Sequence, residues 1–98
     1  IRDYGRVIEL RPDFFLAYHD RGNALQGKGR YAEAVQDYDR AIALKPDFVA
    51  AYQNRAIAQT RAGNYDKAWA DVQALRALGG TPMPAFIEDL VRKSGRSE

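Results

Sequence analysis

The sequence predicts an all-α protein: a solenoid of antiparallel helix pairs, about six helices forming one domain. Three observations predict it. All six tyrosines fall into pairs 34 residues apart: Tyr4 with Tyr38, Tyr18 with Tyr52, Tyr31 with Tyr65. The same offset joins Pro12 to Pro46, Asp13 to Asp47, Phe14 to Phe48, Arg21 to Arg55, Gly29 to Gly63 and Ala34 to Ala68. A fixed period of this size marks stacked supersecondary units. Next, Tyr31, Ala34, Val35, Tyr38, Ala41 and Ile42 recur at the spacing of one helical face. Finally, every connection is short, so neighbouring helices run antiparallel.

The elements follow from this punctuation. A first helix over 2–11 stops at Pro12-Asp13, where Asp13 is placed to cap the next, 14–28. Gly29-Arg30 turns the chain back into a helix over 31–44. Pro46-Asp47 repeats the stop and the Asp cap before 48–62, and Gly63-Asn64 repeats the turn before 65–78. Gly79-Gly80 breaks that helix. Thr81-Pro82 reads as cap and first-turn proline of a last helix over 82–93, closed by Gly95, with 95–98 as a frayed tail. Small residues at Gly22, Ala34 and Ala41 let paired backbones approach closely. Each pair leaves an apolar face that only the next pair covers. The chain opens at Ile1 in the middle of a unit, which reads as a fragment of a longer array.

Composition narrows the function. Of 98 residues, 46% are hydrophobic and 29% charged, and the net charge of +2 leaves no nucleic-acid footprint. With no cysteine, a disulfide framework and thiol chemistry are excluded. No apolar run approaches the ~18 residues of a membrane span, so a soluble protein is expected, with the cytoplasm favoured.

Tyr18, Gly22, Gly29, Tyr31, Ala34, Tyr38, Ala41 and Pro46 together resemble the eight-position signature of the tetratricopeptide repeat. On that phase one repeat covers 15–48 and a second 49–82; 1–14 is similar to the second helix of a preceding repeat, and 83–94 to a capping or truncated first helix. The second repeat is the looser: Ala56, Val72, Leu75 and Gly80 replace the glycine, aromatic, alanine and proline, which suggests a shift in packing before the last helix. The resemblance implies a right-handed superhelix that binds a peptide segment on a concave face built by the first helix of each repeat. It assigns that groove to Leu16, His19, Asp20, Asn23 and Gln26, then Ala50, Gln53, Asn54, Ile57, Thr60 and Arg61, with Ile87, Glu88 and Val91 from the last helix. Some members grip a terminal carboxylate with two asparagines and several cations. Asn23 and Asn54 match the asparagines, but His19, Pro84 and Glu88 stand where cations are expected. A glutamate there repels a carboxylate.

Other chemistry is thin. His19 is the lone histidine, a zinc site needs three or four ligands, and Asp20 and Asn23 beside it supply no nucleophile. No metal, cofactor or catalytic set is expected. Arg21 and Arg55 keep the period, as do Asp3, Asp37 and Asp71, which predicts a ladder: Asp3 or Asp37 with Arg21, and Asp37 or Asp71 with Arg55. The periodic tyrosines read as helix packing and not as a base-stacking surface, and Gly27-Lys28-Gly29 reads as a turn. The expectation is a non-catalytic scaffold for a protein or peptide partner, with no nucleic-acid or membrane partner. The alternative is homo-oligomerisation through the end helices, 2–11 and 82–93.

Overall fold

The computed structural model describes residues 8–11 and 13–96. Five helices follow one another: α1 Phe15–Gly27, α2 Tyr31–Leu44, α3 Val49–Arg61, α4 Tyr65–Ala77 and α5 Pro84–Ser94. Residues 8–10 are helical too. The rest of the predicted first helix, with Asp3 and Tyr4, lies outside the described residues, as does Pro12. The architecture is a solenoid of helix pairs, with no strand among the described residues.

Three helices end in the same way, and glycine is the reason. At the end of α1, Gly29 (φ 77°) lets its own N–H reach Gln26 O at 3.0 Å and the Arg30 N–H reach Leu25 O at 2.9 Å. This Schellman turn satisfies carbonyls that a helix end leaves orphaned. Gly63 (φ 86°) and Gly79 (φ 87°) close α3 and α4 with the same pair of bonds.

Helix starts depart from the sequence reading. The caps of α1 and α3 are Phe14 and Phe48, neither making a side-chain cap bond. Asp13 and Asp47 therefore sit one residue too early to cap. Asp47 turns to Lys45 Nζ at 3.1 Å, and that bond lowers its carboxyl pKa. The last helix starts at Pro84 with Met83 as cap, not at Pro82 with Thr81. Pro84 forces Met83 into an extended conformation, so a helix cannot pass through it. The Met83 N–H is held instead by Gln53 Oε1 at 2.9 Å, and Pro82 is buried.

The core runs through three linked clusters. Tyr18, Ala41 and Ala51 pack with Ile8, Phe15, Ile42 and Phe48; Tyr38 packs with Leu25, Ala34 and Ala58. Trp69 packs with Ala56, Ala68, Val72, Phe86 and Leu90 and so fastens α5 to the array. Tyr18 and Tyr38 are buried and Tyr31, Tyr52 and Tyr65 half-buried, as helix-packing residues are. Gly22 is required by the closeness of α1 and α2: a Cβ there meets Tyr38 Cε1 at 2.7 Å. Gly22→Ala is expected to cost about 1–3 kcal/mol through overpacking. An unchanged urea midpoint would contradict the close approach.

Among the described residues α1 touches α3 and α3 touches α5, whereas α2 and α4 do not meet. The odd-numbered helices thus form the inner row, and their free sides make the concave face.

Candidate functional site: the concave face of α1, α3 and α5

The face is crossed by one connected chain of hydrogen bonds. Arg61 Nη1 donates to Gln26 Oε1 at 3.3 Å, and Gln26 Nε2 donates to the Tyr38 hydroxyl at 3.0 Å and to Asn54 O at 3.4 Å. Tyr38 then donates to Asn23 Oδ1 at 2.6 Å, which also accepts from Asn54 Nδ2 at 3.2 Å. Asn54 Nδ2 in turn lies 2.9 Å from His19 Nε2. Beyond the ring, His19 Nδ1 faces Asp20 Oδ1 at 3.5 Å. Burial pushes the Tyr38 phenol up to about 12, so it remains a neutral donor. Burial also lowers the pKa of His19, with Asp20 opposing. The sign follows: the unfolded chain takes up a proton near 6.5 that folded His19 resists, so stability declines as pH falls through and below that value.

The remaining predicted groove residues divide by exposure. Leu16, Asp20, Asn23, Ala50 and Arg61 are exposed, and Gln26, Gln53, Asn54 and Ile57 are half-buried. His19 is buried between Phe48 (ring centroids 4.8 Å apart) and Tyr38, and it is a hydrogen-bonded histidine, its Nε2 lying 2.9 Å from Asn54 Nδ2. Thr60 is buried, and its hydroxyl returns to Ala56 O at 2.9 Å, within its own helix.

A cleft of about 240 Å³ opens between α3 and α5, lined by Ile57, Thr60, Arg61, Met83, Ala85, Phe86 and Asp89. The sequence reading, which followed the repeat phase, did not include Met83, Ala85 and Asp89. Glu88, which it chose, lines a different cavity of about 520 Å³ with Arg76, Pro82, Pro84 and Ile87. Ile87 and Val91 pack against the Trp69 cluster and are half-buried. The sequence places Tyr38 in helix packing; nothing in it marks its hydroxyl as the link between Gln26 and Asn23.

Behind the face stand two arginine–aspartate pairs. Arg21 donates through Nε and Nη2 to the two oxygens of Asp37, at 2.8 and 2.7 Å. Arg55 donates through Nε and Nη2 to Asp71, at 2.6–3.1 Å, and through Nη1 to Asp39 at 2.8 Å. Asp39 is a second partner that the sequence does not announce, since it falls outside the 34-residue period. The alternative Arg55–Asp37 pairing does not form, and Asp3 lies outside the described residues.

Chemically the face offers hydrogen bonding and little else. Among the described residues no group of three or more histidine and acidic side chains is placed to hold a metal ion, and no helix is long and apolar enough to cross a membrane. Two family comparisons match, both described as tetratricopeptide repeat, one over residues 15–48 and one over 37–70. A search of curated proteins finds no match.

Proposed function

This chain belongs to the tetratricopeptide repeat family, and from that premise we propose that it is a non-catalytic scaffold binding a peptide segment of a partner protein on the concave face of α1, α3 and α5. Tetratricopeptide repeats generally mediate protein–protein interaction and generally act as scaffolds without catalysis. One observation carries the finer reading. The bonds that join Asn23 to Asn54 use the Asn23 oxygen and the Asn54 nitrogen, which leaves Asn23 Nδ2 as donor and Asn54 Oδ1 as acceptor on adjacent helices. A peptide backbone needs one of each at every residue. The cleft beside them has apolar walls in Ile57, Met83, Ala85 and Phe86 for an anchoring side chain.

The test is a selection of displayed peptides on the wild-type chain, counter-selected on Asn23→Ala/Asn54→Ala. Ala50→Arg serves as a second variant: Ala50 is exposed on the same face and stands outside the hydrogen-bond chain. A shared motif lost on both variants supports the groove. Enrichment blind to both overturns it.

Self-association is the second reading, and Leu10, Leu16 and Leu44, exposed at 74%, 40% and 39%, favour it at the N-terminal end of the array. Near the other end Leu78 and Met83 are exposed too, at 41% and 46%, and Asp89 pairs with Arg92 and Lys93 on α5 itself. A mass that rises with concentration, without peptide binding, would select this reading.

A further inference from the structure

The donor and acceptor roles along the hydrogen-bond chain across the concave face follow from its fixed groups, with two donors converging on Asn23 Oδ1. Arginine has donors only, so Gln26 must present its oxygen to Arg61; a peptide carbonyl accepts only, so Gln26 must present its nitrogen toward Asn54 O. With the Gln26 nitrogen also donating to Tyr38 O, the tyrosine proton is left for Asn23 Oδ1. Asn23 Oδ1 then faces the nitrogen of Asn54, and that nitrogen requires an acceptor at His19 Nε2. A histidine accepting at Nε2 is neutral and carries its proton on Nδ1, the side facing Asp20.

We propose that His19 is a specificity-determining residue of the groove and senses pH: neutral, it fixes Asn23 as donor and Asn54 as acceptor toward the ligand, and protonated, it turns Asn54 over and disrupts its pairing with Asn23. The protonation step is simple. Nε2 takes a proton from solvent and becomes a donor that points at the Asn54 nitrogen. The Asn54 amide must then turn over and offer its oxygen to His19. That oxygen would meet Asn23 Oδ1, which the Tyr38 proton already occupies, so the asparagine pairing breaks or Asn23 turns as well. Either outcome changes which groups the ligand meets.

The groups facing His19 are few among the described residues. Asp20 lies on its own helix, Tyr38 on α2 with its ring centroid 5.9 Å away, and Asn54 on α3, with the Phe48 ring completing the enclosure. Only Asp20 is charged, and its position favours the Nδ1–H form. Burial of the imidazole works in the same direction as the chain.

Because the proposal rests on the groove reading for its consequence, its test needs no ligand. His19 is the only histidine, so its ring resonances are unambiguous by NMR. Nitrogen shifts at about pH 8 are expected to show Nδ1–H, and titration to give a midpoint below the ordinary 6.5. Tyr38→Phe removes one proton link without changing charge or ring packing, and should move the midpoint upward. An Nε2–H tautomer, or a midpoint at or above 6.5, overturns the proposal. So does a midpoint indifferent to Tyr38→Phe in a variant whose circular dichroism shows the native helix content. A peptide selected on the groove should in addition bind more weakly below the midpoint than above it. Loss of all peptide binding with the tautomer intact would instead count against the groove reading.

Discussion

Arg55→Met is expected to lower the stability of the fold by about 3–5 kcal/mol, because it leaves a buried carboxylate without its partner. The Asp71 side chain is only 7% exposed, and its pairing with Arg55 is the closest ion pair in the ladder, at 2.6 Å. Burial raises the Asp71 carboxyl pKa, with the Arg55 bonds opposing, so the desolvation of that carboxyl is the larger influence. The pair therefore adds little net stability, yet losing half of it is costly. The double variant Arg55→Met/Asp71→Leu should recover most of the loss, since it removes both charges and keeps the volume apolar. Asp39 plays a minor part: its side chain is 56% exposed, and exposed ion pairs contribute little. Urea denaturation of both variants checks this. A single variant as stable as the wild type would reduce the ladder to solvated charges, and an unrecovered double variant would make the pair a true stabiliser.

Trp69→Ala should cost a similar amount, about 3–5 kcal/mol for the cavity left by a fully buried indole. Its effect is also directional. Trp69, on α4, packs in the cluster of Ala56 from α3, Val72 from its own helix and Phe86 and Leu90 from α5, and its Nε1 donates to Ser94 Oγ at 3.1 Å. Arg96 stands over the ring and pairs with Asp66 at 2.7 Å. Without the indole, α5 loses both its apolar seat and its terminal anchor. Amide exchange should speed up first in α5, which forms one wall of the α3–α5 cleft, while α1 and α2 keep their protection. Uniform loss of protection across all helices would mean that the array unfolds as one unit.

The repeat period carried most of the architecture. It placed the helix pairs, the Gly29 and Gly63 turns, and the small residues Gly22 and Ala34 at the contacts where helices meet. These follow from local rules: a left-handed turn needs glycine, and close backbones need small side chains. What the period could not carry lies where the units differ. Trp69 stands where the preceding unit has Val35, so no repeat marked it as the anchor of α5. The start of α5 was misread because Pro82 and Pro84 compete, and the second proline wins by forcing Met83 out of the helical region. In the site, the phase of α1 and α3 brought His19, Asn23, Gln26, Asn54 and Arg61 to one face. Their mutual bonding stayed hidden, since it depends on side-chain contacts between helices, one of them through the Tyr38 hydroxyl from the second layer. Periodicity reports which face a residue occupies; it does not report what its polar atoms touch.

The central claim is that the inner row of helices is the binding surface. Its most direct measurement is a map of amide chemical-shift changes when a selected peptide is added to the ¹⁵N-labelled chain. The largest changes are predicted at Asn23, Gln26, Ala50, Asn54, Ile57 and Arg61, with exposed positions of α2 and α4 such as Arg40 and Lys67 unmoved. Changes concentrated on α2 and α4, or around Leu10 and Leu44 at the end of the array, would contradict it.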